Sequence, residues 1–139
     1  MQLTKAFAWG SLLAASMIAS AHAACTNASL IGAYGFQEQG LHTDEFGAFS
    51  EFRSVGTISF DGRGHGTKND TLWFRDFSIS PSQNAVAYSV QPDCSFTFAY
   101  ENGETFQAVI IDGGQKLLWL ETSGDPVRSG QAERIRSAQ

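Results

Sequence analysis

Beyond residue 23 the chain has no apolar stretch near the ~20 residues that a membrane-spanning helix needs, and no segment repeats its apolar residues every 3.6 positions. The first absence excludes a predicted transmembrane segment in the mature chain, and the second makes helix the exception. Clustered positive charge is missing too. Lys and Arg total 9 against 14 Asp and Glu, and the basic residues are scattered. Nucleic acid and anionic membranes both require dense positive patches, so neither is expected as a partner.

Catalytic signatures are equally scarce. No G-x-S-x-G element occurs, and the run Asp61-Gly62-Arg63-Gly64-His65-Gly66 lacks both the Lys-Ser/Thr of a phosphate cradle and the ligand spacing of an EF-hand loop. It reads as a hairpin turn. His42 and His65 fit no metal-ligand spacing. No catalytic residue, metal ligand or cofactor is therefore assigned. Acid–base chemistry would need a carboxylate such as Glu38 or Glu51 in apolar surroundings, where its pKa would rise. The adjacent pair Asp44-Glu45 would point to opposite sides of a strand and reads as solubilising.

What is present begins with a leader. Residues 1–23 combine Lys5, an apolar run from Ala6 to Ile18 and the small-x-small end Ala21-His22-Ala23, the pattern of a cleaved export signal. The mature domain is then 24–139, enough chain for one core. Its formal charge moves from −5 to −6 because Lys5 leaves with the leader. Two cysteines, Cys25 and Cys94, fall in the exported part, where an even pair reads as a disulfide. The rival for Cys25 is a lipid anchor, but His22 stands where an aliphatic residue is usual and lipidation would orphan Cys94. Asn27-Ala28-Ser29 fits a glycosylation sequon and reads equally as a polar entry to the first strand.

Short β-rich runs recur every ten to fifteen residues, predicting strands near 32–39, 49–60, 65–77, 84–91, 95–101, 104–111, 116–122 and 129–136. Turn chemistry separates them at Asp61-Gly62, Pro92-Asp93, Asn102-Gly103 and Asp112-Gly113-Gly114. An open meander of eight strands would leave two raw edges in water, whereas closure removes both. The expected fold is therefore an all-β, eight-stranded antiparallel up-and-down β-barrel, with a two-sheet β-sandwich as the alternative. The runs around 104–111 and 116–122 are apolar on both faces near their ends. That predicts a cover from 41–48, from the arm at Cys25 or from a second copy in a homo-oligomer.

Phenylalanine is abundant, at 11 of 139 residues. In a small barrel a surplus of Phe and Tyr either fills the lumen or lines a pocket. Phe36, Phe52, Phe60, Phe96, Phe98 and Tyr100 are the candidate lining, and alternating small residues such as Ser54 and Gly56 suit both outcomes.

The combination of "CTNASLIGAYGF", "GTISFDGRGHG", "YSVQPDCSFTF", "VIIDGGQKLLWLET" and "SGQAERI" resembles a group of small exported bacterial proteins with the skeleton C-T-N-x-x-L-x-G-x-Y-G-F, F-D-G-x-G, D-C, DGG and S-G-x-A. Those proteins are similar to calycin-type or allene-oxide-cyclase-like barrels, and the resemblance implies a fold without carrying an activity. A fainter similarity is to lipocalins, whose G-x-W packs on a last-strand Arg. It implies that Gly32 and Tyr34 meet Arg134 or Arg136 to close the barrel's base.

Three functions follow as expectations. The leading one is an exported, non-enzymatic barrel holding a small hydrophobic ligand in its lumen. The second is an interaction or inhibitor module acting through an exposed strand face around Val109, Ile111, Leu117 and Trp119, and the third a cyclase- or isomerase-like enzyme.

Overall fold

Period-two alternation and turn residues give eight strands in the computed structural model, which describes residues 24–136 apart from 44–45, 76 and 125–126. The leader, 1–23, and the pair Asp44-Glu45 lie outside the described residues. The strands are β1 (Ile31–Thr43), β2 (Phe49–Asp61), β3 (His65–Phe74), β4 (Ser78–Val90), β5 (Ser95–Tyr100), β6 (Thr105–Ile111), β7 (Lys116–Glu121) and β8 (Arg128–Arg134). Each pairs antiparallel with its sequence neighbours, and β8 returns to β1, so the sheet is a closed up-and-down barrel rather than a sandwich. Single 3-10 turns at Asn27–Ser29 and Asp112–Gly114 are the helical elements among the described residues.

The turns do what their sequence dictates. Asp61 Oδ1 accepts hydrogen bonds from the Arg63 and His65 amides, which folds "DGRGHG" into the β2–β3 connection and holds the Asp61 carboxyl below its ordinary range. Between β5 and β6, Asn102 accepts from the Glu104 amide while Gly103 takes a φ of 91°.

Inward positions carry the aromatics and outward positions are largely polar, the reverse of a barrel that faces lipid. No helix among the described residues is long and apolar enough to cross a membrane. Phe98 stacks on Phe106 with centroids 4.6 Å apart, and Phe60 meets Tyr88 edge-on at 5.0 Å. Each such ring buried contributes about 1.5–3 kcal/mol.

One end of the barrel is sealed by the N-terminal arm. The Cys25–Cys94 disulfide and the Cys25 amide's bond to the Pro92 carbonyl pin the arm, and Leu30 plugs the end with no exposed surface. Asn27 is engaged there, its side-chain oxygen accepting from the Val90 amide at 2.8 Å.

Several expectations require correction. Residues 41–43 continue β1 instead of forming a cover, because they pair with 49–51 of β2. The sequence does not predict the first half of β4: Ser78–Gln83 is largely polar, contains Pro81 and has no alternation of its own, yet β3 pairs with it across a register shift between Asp70 and Leu72. The interface set mixed two faces. Leu117 and Trp119 are 1% and 6% exposed and point inward, whereas Val109 pairs with Leu118 on the outside, so the outer apolar positions are Val109, Ile111, Leu118 and Leu120. Period two forces this, since Leu117 and Leu118 must face opposite ways.

The disulfide closes a sequence separation of 69 residues, for which unfolded-chain entropy gives about 4 kcal/mol. The double substitution Cys25→Ala/Cys94→Ala is expected to lower urea-denaturation stability by about that amount while retaining the β-sheet circular dichroism spectrum. An unchanged urea midpoint would contradict the arm's role as a staple.

Candidate functional site

The lumen contains more than aromatics. Inward positions of β1 and β3 place Glu38, Lys68 and Asp70 at one level, all buried. The Lys68 ammonium lies 2.9 Å from Asp70 and 3.6 Å from Glu38, and it sits over the Tyr100 ring at 4.5 Å. Ser54 donates to Asp70, and the Trp119 indole N–H donates to Glu38 at 3.2 Å. Burial pushes the Glu38 carboxyl up, only partly opposed by Lys68 and Arg128, and pushes the Tyr100 hydroxyl well up. Glu38 Oε2, Asp70 Oδ1 and the Tyr100 hydroxyl have no hydrogen-bond partner among the described residues.

Toward the mouth, Arg128 of β8 lies above this layer. Its guanidinium donates twice to Glu121, at 2.6 and 3.0 Å, reaches Glu104 at 2.6 Å, and rests between the Phe52 ring at 4.8 Å and the Phe106 ring at 5.8 Å. Burial works against its charge, but the carboxylate hydrogen bonds outweigh it and raise the pKa. At the other end Arg134 donates to the Tyr34 hydroxyl at 2.7 Å and to the Gly114 carbonyl at 3.2 Å, with its guanidinium 5.0 Å over the Tyr34 ring. Gly32 takes a φ of 104° beside it, and a Cβ there would sit 3.3 Å from Arg134 Nη1.

Of the residues singled out from sequence, Phe36, Phe52, Phe60, Phe96, Phe98 and Tyr100 are all inside, at most 5% exposed, and packed on one another and on the buried charges. Gly32, Tyr34 and Arg134 meet at one end. Glu51 is on the outside, paired with Arg53. His42 lies against the Phe74 ring at the mouth, His65 is exposed, and no group of described His, Cys, Asp and Glu residues has a metal-binding arrangement. Lys68, Asp70, Glu121 and Arg128 were not anticipated. Their signal was weak but present: Lys68, Asp70, Leu72 and Phe74 share one face, and Arg128 lies six residues from Arg134 and therefore in phase with it.

Among the cavities on the described surface are two whose lining is mostly outward side chains. Strand pairing places Leu118, Gln131, Gln37, Val55 and Thr71 in one row across β7, β8, β1, β2 and β3. The next row toward the mouth is Leu120, Ser129, Gln39, Arg53 and Trp73. All of these except Leu120 line a groove of about 590 Å³. A barrel of tilted strands is a hyperboloid, so its outer surface is waisted along the barrel axis, which favours a shallow groove on the outside. Its floor is thin at Gly130, where any Cβ would collide with the Trp119 ring from inside. A second hollow of about 310 Å³, reaching Leu41, Glu51 and Val127, shares Gln39, Arg53 and Ser129 with the first.

Fold and site together define a closed β-barrel whose inward rings and charges pack on one another and whose outer face carries a polar-apolar groove. No family model and no curated protein matches the chain. Among solved structures it is similar to a de novo designed fluorescence-activating β-barrel, at 14% identity and a TM-score of 0.48, over 77% of this chain and 94% of that one. At that overlap the likeness adds nothing to the strand order already read from the pairing.

Glu38→Gln tests the buried layer. The amide keeps the acceptor for Trp119 and removes a carboxylate whose folded pKa lies above its ordinary 4.5, so the folded state holds a proton that the unfolded state releases. Wild-type stability is therefore expected to fall relative to Glu38→Gln as pH rises from 4.5 through that raised value, then level off, in urea melts across pH 4–8. Parallel curves would show that Glu38 titrates normally.

Proposed function

We propose that this chain is an exported recognition module that binds its ligand on the outside of the barrel, in the groove across β7, β8, β1, β2 and β3. The carrying observation is that groove: about 590 Å³, with Trp73, Val55 and Leu118 supplying apolar surface beside the side-chain amides of Gln37, Gln39 and Gln131. Ligand sites are concavities of about 300–1,000 Å³ with apolar lining and a few orienting polar groups, and this one fits. The leader and the disulfide support export. The resemblance to calycin-type barrels belongs to the same proposal as far as fold is concerned, but the ligand's place differs.

Energetics favours the outside over the lumen. An apolar lumenal ligand would have to displace rings already in contact and part Arg128 from Glu121, and breaking a buried ion pair costs about 3–5 kcal/mol. The groove needs no such opening. Acid–base chemistry at Glu38 is disfavoured too, because at the floor of the groove it is 2% exposed and engaged with Trp119 and Lys68.

Trp73 is 41% exposed and stands in the groove, whereas the Arg128 side-chain N–H bonded to Glu121 stands at the lumen's mouth, so these two groups report separately on outside and inside. In a nitrogen-15 NMR screen of a fragment and oligomer library, binders are expected to shift the Trp73 indole and the Gln37 and Gln131 side-chain amides together. A library whose binders move the Arg128 side-chain N–H and spare Trp73 would put the site in the lumen.

A further inference from the structure

Resting on the groove as the binding site, we infer that its ligand is a neutral oligosaccharide. Charge narrows the class first. Arg53 and Glu51, 3.9 Å apart on the same outer face, offset one another; Glu38, the other charged lining residue, is 2% exposed and faces the Lys68 ammonium at 3.6 Å, and no described lysine lines either hollow. A phosphorylated or sulfated ligand would call for unopposed cations, and a cationic one for unopposed carboxylates.

Hydrogen-bonding capacity narrows it further. Gln37, Gln39 and Gln131 each present a carbonyl acceptor beside an NH₂ donor, a fork that matches the paired hydroxyls of a sugar, which donate and accept in turn. Ser129 and Thr71 add hydroxyls of the same dual character. Beside them the Trp73 indole supplies a flat, rigid, amphipathic platform that suits the C–H face of a pyranose ring.

Shape supplies the third argument. Gln39, Arg53 and Ser129 line both hollows, so the two lie side by side, an extended footprint that suits a chain of linked rings better than a single compact molecule. An extended peptide is the less suitable occupant. The barrel is closed, so under the groove's two rows, from β7 to β3, the strands are paired on both sides and offer no edge for strand addition.

The test uses the mature, disulfide-bonded protein titrated with neutral hexamers of glucose, mannose, galactose and N-acetylglucosamine in α and β linkages, read by NMR and calorimetry. At least one hexamer is expected to shift the Trp73 indole and the glutamine amides saturably. Trp73→Ala, an exposed substitution, should weaken that hexamer about tenfold or more while leaving the remaining spectrum in place, with Trp73→Phe intermediate. If peptides or aromatic fragments fill the groove and no hexamer does, the oligosaccharide is wrong and the groove stands. If nothing perturbs the groove, both readings fall. Hexamer binding undiminished in Trp73→Ala would also overturn the inference.

Discussion

The seam between β8 and β1 is the constraint on which the molecule depends. Pairing runs from Tyr34 with Arg134 to Gly40 with Arg128, so the two arginines of β8 stand at the two ends of the ladder that closes the barrel. Six residues apart on a strand, they share the inward face and lie about 20 Å apart. Arg134 closes one end against a tyrosine ring and two backbone carbonyls, those of Gly114 and Ile31. Arg128 closes the other against two carboxylates and two phenylalanine rings. The sheet is closed by its backbone and the lumen by these two side chains.

Between the plugs the interior changes character along its length. The half nearest the N-terminal arm is aromatic and aliphatic, whereas the half nearest the mouth holds Lys68 between two carboxylates. Taking charges out of water is costly unless partners and hydrogen bonds offset it, and one ammonium shared by two carboxylates does so incompletely. The raised Glu38 pKa is the consequence. An interior committed to this extent leaves little to offer a guest. The outer face, where register brings amides, hydroxyls and an indole into two adjacent rows, is free to present chemistry.

Much of the fold was legible because period-two alternation and turn residues carry it locally. Phe96, Phe98 and Tyr100 on one face and Asn102-Gly103 at the bend identify β5 and β6 without any knowledge of neighbours. The first half of β4 was illegible for the opposite reason: its pairing with β3, and not its own pattern, makes it a strand. The site was harder. Gln37, Gln131 and Val55 form a row only because two separate registers align them, and nothing in a linear sequence states a register. Lys68 and Asp70 look like ordinary surface residues of a polar strand until closure turns that face inward. Strand faces near Leu117 and Trp119 are ambiguous in the sequence for the same reason, since a run apolar on both sides does not say which side is in.

The central claim is that the lumen is filled and stays shut, so that recognition happens outside. The most direct measurement is hydrogen exchange at the Trp119 indole N–H, which donates to Glu38 beneath the Arg128 plug. If the lumen is shut, this proton exchanges only through global unfolding, with an opening free energy equal to that from denaturant melts and the same denaturant dependence. Exchange that is orders of magnitude faster and insensitive to denaturant would mean that the mouth opens in the native state, and would contradict the account.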